Sequence, residues 1–486
     1  AVTCHPPPIT SSSNNHRVRP RMRPRMTIRT GDPGVIQDIL SRMAETTTTQ
    51  RDSDFMHFFS VELKADNRGE AACTFLFAFP GSGYQEYGLY APSVVLWLKT
   101  LALVFVHALA AAAISFVVKR CIIDCRPCQG RQKGAAISSY LLGYGVLVPI
   151  VAIAPLYILP MLDVRNKILK FAGGCVVPTC TMFRISEAIH GCEPPHVTKS
   201  TLSYALYFGS PMELCYDLDE KQKIKYTAAD HRRNFLRFAS TYLMLSAYLS
   251  LLMPTGFEPF PSPEDEWYSL RRLLSWSQLG NNFFHALLFQ MSLTCLFDGL
   301  ALATGLVLGY QSKKVMYNPV LSATSPSQFW GRKWNTLVHG ALKRGVFKPI
   351  VVGYSKAAAV IATFLASGIL HEWIAVVAFF PHALELSEEE PCDQPSCQRY
   401  IPKLGGSTLF FLWSAFLIIL EVAIGHFSFF QFIKNQMPQP VVTLFVILLA
   451  LPLVHWFGDP YAKSDYFYDA TIGFPLLIPT QKEAVQ

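Results

Sequence analysis

Charged residues are scarce in this chain. Only 16% of its 486 residues are Asp, Glu, Lys or Arg, and 51% are hydrophobic, whereas an ordinary soluble domain carries roughly a quarter charged residues. The apolar residues come in repeated charge-poor blocks about as long as a bilayer is thick. This composition excludes a soluble globular protein.

Several familiar catalytic and cofactor patterns are also missing. The sequence contains no nucleotide-binding glycine loop, no GxSxG nucleophile elbow and no histidine-rich metal motif. Its 12 cysteines are scattered, unlike those of small disulfide-stabilised secreted proteins. The cluster Cys121, Cys125 and Cys128 lacks a fourth ligand at matched spacing, which favours palmitoylated or inert thiols over zinc. We therefore expect no metal and no resident cofactor.

The basic residues are unevenly distributed. The net charge is +8, and residues 1–30 contain six arginines and no acid. A nucleic-acid-binding protein would spread basic residues over a folded face, so we expect no nucleic-acid partner. Residues 1–55 are rich in Pro, Ser, Thr and Arg, which predicts a disordered basic tail. An acid-free, arginine-rich start is also typical of transit peptides.

Long apolar runs predict membrane spans. Seven runs are clear, and a further crossing is expected at 171–190. The seven lie near residues 89–118, 135–162, 237–253, 283–310, 357–381, 404–425 and 440–457. We therefore predict an all-α polytopic membrane protein of about eight to nine transmembrane helices.

Loop charges predict the orientation, because Lys and Arg stay on the cytoplasmic side. Residues 311–356 contain eight basic residues and no acid, whereas 382–403 is acidic. Residues 119–134 are basic and 254–278 acidic, which fits one orientation with 311–356 cytosolic. The exception is 163–170, whose basic residues fall on the side that parity makes luminal. In the predicted luminal loop, Cys392 and Cys397 flank four residues, a spacing compatible with a local disulfide.

The basic loop has helical periodicity. Its apolar residues recur at helical spacing, while its basic residues fall elsewhere. The apolar set is Trp330, Trp334, Leu337, Val338, Ala341 and Leu342. Because tryptophan favours the depth of the membrane interface, this pattern predicts an interfacial cytoplasmic helix, which would serve either as a plain anchor or as part of a site.

His371 is the most informative ionisable residue. If its helix begins near residue 357 on the cytoplasmic side, His371 lies roughly 21 Å deep in a core of about 30 Å. A neutral imidazole at that depth is a competent general base, although a structurally hydrogen-bonded histidine is an equal alternative. Glu372 points about 100° away on the helix, which favours a packing role. Asp298, in another span, would line the chamber or pair with an imidazole such as His285, although a structural hydrogen bond is the favoured alternative.

Two motifs then resemble a known family. The run Ser325-Pro-Ser-Gln-Phe-Trp-Gly-Arg-Lys-Trp-Asn335, followed by Phe347-Lys-Pro349 and Ser367-Gly-Ile-Leu-His-Glu372, resembles the wax synthase branch of the membrane-bound O-acyltransferases. The resemblance covers about residues 285–460. It implies a transmembrane bundle in which Asn335 and His371, 36 residues apart, form the active site.

The resemblance implies a direct reaction between acyl-CoA and a lipophilic alcohol. His371 would take the alcohol proton, and the Asn335 amide would hold the acyl carbonyl or oxyanion. The CoA phosphates would suit the basic loop. Further substrate-binding residues are expected among a set close to these two in the sequence or in the membrane. They are Trp330, Arg332, Lys333, Trp334, Ser367, Glu372 and Asp298.

These observations lead to one functional hypothesis with open alternatives. Residues 56–253 would form an N-terminal transmembrane region and 254–486 the catalytic region. The expected protein is an acyltransferase of the endoplasmic reticulum, with a homodimer considered, that esterifies a long-chain fatty alcohol. A sterol or terpenoid hydroxyl and diacylglycerol are alternative acceptors. A transporter using His371 and Asp298 as an ion path, and a non-catalytic scaffold, are the alternatives outside this class.

Overall fold

Helices make up most of the described residues of this computed structural model. It describes residues 73–79, 83–125, 137–216, 223–261, 269–380, 401–428, 431–432 and 436–479. The predicted basic tail, Cys128, the pair Cys392 and Cys397, and most of the acidic loop 382–403 lie outside these residues.

Eight helices of the described residues are long and apolar enough to cross a membrane. We number them as spans 1 to 8 in chain order: Val94–Ile123, Ile137–Met161, Lys167–His190, Ala228–Thr255, Trp276–Leu308, Lys356–Phe379, Gly406–Ile424 and Gln439–Lys463. The predicted helical membrane fold is confirmed. Span 3 is the additional crossing that the sequence placed at 171–190.

Several span ends differ from the predicted bounds by a few residues, and in spans 3 and 4 the difference has a local cause. Span 4 begins nine residues earlier than expected, because Thr227 and Asp230 form a capping box that starts the helix among polar residues. Span 3 consists of two helices, Lys167–Gly174 and Val176–His190. Span 3 is also the most buried of the eight, so its polar residues face protein and dilute the apolar signal in the sequence.

Short elements connect the spans and flank them. The helices outside the spans are Thr201–Gly209, Leu270–Leu274, Pro319–Ser322, Pro326–Gln328, Thr336–Leu342, Lys348–Gly353 and Tyr466–Thr471, and π-helical turns cover Phe329–Lys333 and Lys343–Phe347. Strands β1 (Cys73–Phe79), β2 (Gly83–Tyr90) and β3 (Leu476–Pro479) form an antiparallel sheet in the order β1-β2-β3. The sequence analysis did not predict this sheet.

The connections lie at two opposite ends of the bundle. At the end that we call the loop end, Ser186 near the end of span 3 donates a hydrogen bond to the carbonyl oxygen of Gly345 at 2.7 Å. At the other end, the sheet end, the backbone N–H of Ser93 donates to the carbonyl oxygen of Ile472 at 2.8 Å. Residues 311–355 therefore lie at the opposite end from the start of span 1.

Acidic side chains lie close to the basic residues at the start of span 3. Arg165 pairs with Asp163 at 2.8 Å. The backbone N–H of Lys167 donates to Asp469 at 2.8 Å, and the carboxylate of Asp469 also interacts electrostatically with Lys167 and Lys170. The positive charge of this segment is therefore balanced by acids within the fold.

Candidate active site

A cavity of about 460 Å³ lies between the spans. Every span except span 2 contributes residues to its wall, which is mainly aromatic and aliphatic. The wall extends from Ser327, His339 and Lys343 at the loop end to Ala470 and Phe474 at the sheet end. A largely apolar cavity of this size with a few polar groups is typical of small-molecule sites.

Span 6 carries His371 into the cavity wall. Ser355 caps this helix by accepting the N–H of Ala358 at 3.1 Å. His371 follows Lys356, the first helical residue, by 15 residues, which corresponds to about 22 Å along the axis. The imidazole therefore reaches the cavity far along the span from its first residue.

A backbone hydrogen bond determines which ring nitrogen of His371 is available. Nδ1 lies 2.7 Å from the carbonyl oxygen of Ser367. A carbonyl oxygen only accepts, so Nδ1 carries the proton in this bond, and the neutral ring keeps its lone pair on Nε2. This tautomer is the one that a general base acting through Nε2 requires.

Aromatic rings from spans 7 and 8 hold the imidazole in place. The ring of Phe411 stacks on His371 with centroids 4.5 Å apart, and Phe457 meets it edge-on at 5.3 Å. Span 7 can approach this closely because residue 368 is a glycine: a Cβ there would lie 2.6 Å from Cα of Thr408. The sequence analysis missed Phe411 and Phe457, because no local pattern marks them.

The tryptophan-rich segment is not the single helix that its spacing predicts. The π-helical turn Phe329–Lys333 ends at Trp334, which is extended, and a separate helix begins at Thr336. Asn335 lies between them with φ +36°, in the left-handed region that asparagine tolerates better than most residues. Leu337, Ala341 and Leu342 in the helix after the break are buried within the protein.

Asn335 lies in the cavity wall with only part of its side chain committed. Its Oδ1 accepts the N–H of Val338 at 3.2 Å and so caps the helix Thr336–Leu342. Its backbone N–H donates to the sulfur of Met316 at 3.2 Å. The cap turns the acceptor atom toward the helix and leaves the Nδ2 amide, a hydrogen-bond donor, for a ligand.

The two tryptophans also line the cavity. Trp330 packs against Phe411 at 5.4 Å and edge-on against Phe364 at 5.9 Å. Trp334 stacks on Phe329 at 5.5 Å. Because Phe411 also touches His371, these rings join the tryptophan-rich segment to the imidazole through continuous packing.

Of the nine predicted site residues, five line the cavity and four lie outside its wall. The five are His371, Asn335, Trp330, Trp334 and Ser367. The four outside are Arg332, Lys333, Glu372 and Asp298.

Two of the residues outside the wall, Lys333 and Glu372, make hydrogen bonds elsewhere. Lys333 donates to the hydroxyl of Ser322 at 2.9 Å. Glu372 accepts the N–H of Thr408 at 2.9 Å, which stabilises the first turn of span 7 as an acidic side chain at a helix N-terminus does. The packing role expected for Glu372 agrees with this contact, and a role for these two side chains in binding substrate stays a prediction.

The suggested pairing of Asp298 with His285 is wrong. Both residues lie on span 5, 13 residues apart, which places them about 20 Å apart along the helix. The carboxylate of Asp298 is instead close to Arg237 and Lys314 at the loop end. The sequence already contains this separation of 13 residues, but the prediction did not convert it into a distance along the helix.

The eight basic residues of the loop do not act as one patch. Lys313 pairs with Glu213 at 3.1 Å, and Arg344 pairs with Glu187 at 3.0 Å and also with Glu213. Lys343, by contrast, is exposed and lines the cavity at the loop end. Neighbouring cations of this loop therefore have different roles, one in the fold and one at the cavity.

The ion cluster of Arg344, Glu187 and Glu213 ties the loop to span 3. Glu187 is fully buried and also accepts the hydroxyl of Tyr207 at 2.5 Å. Burial alone would raise the pKa of Glu213, but Arg344 and Lys313 together hold it below its ordinary value. The sequence analysis missed this cluster, although an ionisable residue such as Glu187 inside an apolar run was a usable signal.

Cys121 and Cys125 are free and exposed at the end of span 1. Within the described ranges, no group of three His, Cys, Asp or Glu side chains is arranged to hold a metal ion. Cys128, the third member of the sequence cluster, lies outside those ranges.

Comparison with known proteins identifies the same part of the chain. Residues 313–386, which contain both Asn335 and His371, match the sequence model of the membrane bound O-acyl transferase family. The chain is 28% identical over 185 residues to the probable long-chain-alcohol O-fatty-acyltransferase 7 of Arabidopsis thaliana, covering 36% of this chain and 48% of that protein.

A second type of relative is named for a different acceptor. The chain is 43% identical over 65 residues to acyl-CoA–sterol O-acyltransferase 1 of Arabidopsis thaliana, which covers 12% of this chain and 19% of that protein. The probable long-chain-alcohol O-fatty-acyltransferase 9 of the same plant is 28% identical over 149 residues, covering 29% and 38%. The chain spans about half or less of the length of these relatives.

Proposed function

We propose that this helical membrane protein transfers a fatty acyl group from acyl-CoA to the hydroxyl group of a lipophilic alcohol, because its residues 313–386 match the model of the membrane bound O-acyl transferase family. The single observation that carries the proposal is the state of His371. Its Nδ1 is held by a carbonyl oxygen, while its ring borders an apolar cavity that Asn335 also lines.

The reaction proceeds by direct transfer. Nε2 of His371 takes the proton from the alcohol as the alcohol oxygen attacks the thioester carbonyl. The Nδ2 amide of Asn335 donates a hydrogen bond to the oxyanion that forms. When the carbonyl is restored, the C–S bond breaks, the CoA thiolate leaves and takes up the proton from His371, and the ester and free CoA result. The step requires no acyl-enzyme.

The apolar wall supports transfer to an alcohol over transfer to water. Aromatic side chains surround the imidazole, including Phe411 and Phe457, and exclude bulk water from the thioester. A site that excludes water limits hydrolysis of the acyl donor. An alcohol with a long hydrocarbon chain gains affinity from the same wall through burial of its methylene groups.

CoA approaches from the loop end. Lys343 and His339 line the cavity there, and a lysine ammonium binds phosphate by charge-assisted hydrogen bonds. CoA is a cytosolic co-substrate, so the proposal puts the loop end at the cytosolic face of the endoplasmic reticulum. It agrees with the loop charges, and a protease-protection assay with a tag after residue 311 tests it.

A long-chain fatty alcohol is our first choice of acceptor, which makes the product a wax ester. The relatives named as probable long-chain-alcohol O-fatty-acyltransferases support this choice. A sterol is the second candidate, favoured by the short but more similar match to a sterol O-acyltransferase. A homodimer is also part of the proposal, to be tested by the mass of the purified protein in detergent.

The test is ester formation by membranes of a host without background synthesis. Labelled palmitoyl-CoA is supplied with a fatty alcohol, a sterol or diacylglycerol, and the His371→Ala variant is assayed at equal protein level. We expect a labelled wax ester that disappears in the variant. No ester with any acceptor would reject the proposed reaction, and an undiminished ester in His371→Ala would remove the imidazole from the mechanism.

A further inference from the structure

Aromatic side chains close the cavity at the sheet end. Trp97 of span 1 and Phe474, which follows span 8, both lie in the cavity wall. Their rings meet edge-on at 5.8 Å. Tyr242 of span 4 packs behind them, 4.9 Å from Phe474 and 6.2 Å from Trp97. These three rings form the end wall, a name that we use for them below.

Hydrogen bonds hold the end wall in place. The carbonyl oxygen of Gly473 accepts both the indole N–H of Trp97 at 2.8 Å and the hydroxyl of Tyr242 at 2.9 Å. The adjacent carbonyl of Ile472 accepts the N–H of Ser93 at 2.8 Å. Spans 1 and 4 are therefore joined to the segment after span 8 at this point, so the position of the wall is set by three parts of the chain.

The arm of the cavity between His371 and the end wall suits a hydrocarbon chain. Ile374, one turn beyond His371 toward the sheet end, lines it, and so do Leu245 and Leu249 of span 4. A chain that reacts at His371 while its polar end faces the loop end has this arm to occupy. The length of hydrocarbon chain that fits is then limited by the position of the rings of Trp97 and Phe474.

We propose that Trp97 and Phe474 set the longest hydrocarbon chain that the enzyme accepts. This inference rests on the proposed acyltransferase function. A methylene group that a pocket cannot accommodate, or that it leaves unfilled, changes the relative rate of two substrates by about ten- to 200-fold. The end wall is therefore a determinant of specificity and has no part in the chemical step.

Two substitutions change the length of the arm in opposite directions. Phe474→Ala removes a ring from the end of the arm, and Ala470→Leu adds side-chain volume at a neighbouring wall position. Phe257→Ala is the matched control, because Phe257 is a fully buried aromatic residue that packs on Phe467 and lies outside the cavity wall. The control reports the effect of losing a buried ring without opening the cavity.

The measurement is the distribution of ester products in competition assays. One series of assays uses acyl-CoAs of increasing even chain length with one alcohol, and a second series uses alcohols of increasing length with palmitoyl-CoA. In one of the two series, we expect Phe474→Ala to raise the ratio of long to short products at least about tenfold and Ala470→Leu to lower it. The series that responds identifies whether the acyl chain or the alcohol chain occupies the arm of the cavity.

The outcomes separate this inference from the proposed function. If wild-type protein makes ester and both substitutions leave the distribution unchanged, the end wall does not measure chain length, although the acyltransferase proposal stands. An equal shift in Phe257→Ala would also overturn the inference, because it would show general loosening. If Phe474→Ala does not fold, Ala470→Leu decides by its shift toward shorter chains. Absence of any wild-type ester would reject both proposals.

Discussion

Spans 5 and 6 each bury a histidine within an apolar helix, but the two side chains lie in different surroundings. His371 of span 6 borders the cavity, and its Nδ1 is held by the carbonyl of Ser367. His285 of span 5 is also buried, stacks on Phe467 with centroids 6.1 Å apart, and lies outside the cavity wall. Burial in a span is therefore a weaker indication of a catalytic role than contact with a cavity together with a defined tautomer.

The largest expected effect separates these two histidines. His371→Ala removes the general base, and such groups contribute typically 10²- to 10⁴-fold to rate. We expect ester formation to fall by that factor, measured as initial rate per amount of membrane protein. His285→Ala is the control and should keep most of the wild-type rate when corrected for protein level. Equal losses in the two variants would contradict the assignment.

A second comparison concerns the neighbouring cations Lys343 and Arg344. Arg344 is the one that forms ion pairs within the protein. Its guanidinium is mostly buried against Glu187 and Glu213. Removing one partner of a buried ion pair costs about 3–5 kcal/mol, because it leaves an uncompensated buried charge. We expect Arg344→Ala to lower the unfolding temperature of the purified protein in detergent by several degrees or more, and to reduce its level in membranes.

The contribution of Glu213 to the stability of this cluster depends on pH in one direction. Because the pKa of Glu213 in the folded protein lies below its ordinary value, its contribution to stability is complete above the unfolded pKa, about 4.3. That contribution is lost as the pH falls through the lower, folded value. The contribution of Glu213, measured as the difference in unfolding temperature between wild type and Glu213→Gln, should therefore stay constant from pH 7 to pH 5.5. A difference that vanishes in this interval would show that Glu213 is not held in its charged form.

The side chain of Asn335 has one role in stability and one in the proposed reaction. Its Oδ1 caps a helix, and its Nδ2 is left for substrate. Asn335→Asp keeps an oxygen for the cap and removes the donor, whereas Asn335→Ala removes both. Loss of one oxyanion donor costs about 10²- to 10³-fold in kcat, so we expect that loss in both variants. Only Asn335→Ala should also lose stability, by roughly 0.5–2 kcal/mol.

Thermal unfolding and kcat measured on the same preparations test this separation. Near-normal kcat in Asn335→Asp would show that the amide of Asn335 does not act on the oxyanion. A loss of stability in Asn335→Asp as large as in Asn335→Ala would show that the oxygen at this position does not cap the helix.

The sequence predicts features that depend on residues near each other along the chain. Apolar runs predicted the spans, and the position of His371 along span 6 followed from its distance to the start of the helix. The break at Asn335 was missed because the spacing of Trp330, Trp334 and Leu337 is compatible with one helix, and a single left-handed residue does not alter that spacing. The short strand β3 was missed for a similar reason, since its pairing with β2 is formed across almost the whole chain.

Contacts between distant parts of the chain could not be predicted from local sequence patterns. The rings of Phe411 and Phe457 reach His371 from two later spans, and Glu187 meets Arg344 across 157 residues. The charge of the basic loop predicted a phosphate-binding face, but only the contacts with Glu187 and Glu213 show which cations are already paired. Packing between spans therefore decides which of several similar residues can bind a substrate.

Substitution of Lys343 has the smallest expected effect. It tests whether a basic residue at the cavity binds acyl-CoA more strongly than one elsewhere in the same loop. It lines the cavity at the loop end, whereas Lys348, also exposed and in the same basic loop, lies outside the wall. We expect Lys343→Ala to raise KM for acyl-CoA about three- to fivefold with kcat unchanged, because an exposed ionic contact is worth up to about 1 kcal/mol. Salt screens such contacts, so the difference from wild type should shrink between 50 and 500 mM salt. Lys348→Ala should leave KM unchanged, and an equal rise in both variants would mean that the loop attracts acyl-CoA by its total charge, with no specific contact at the cavity.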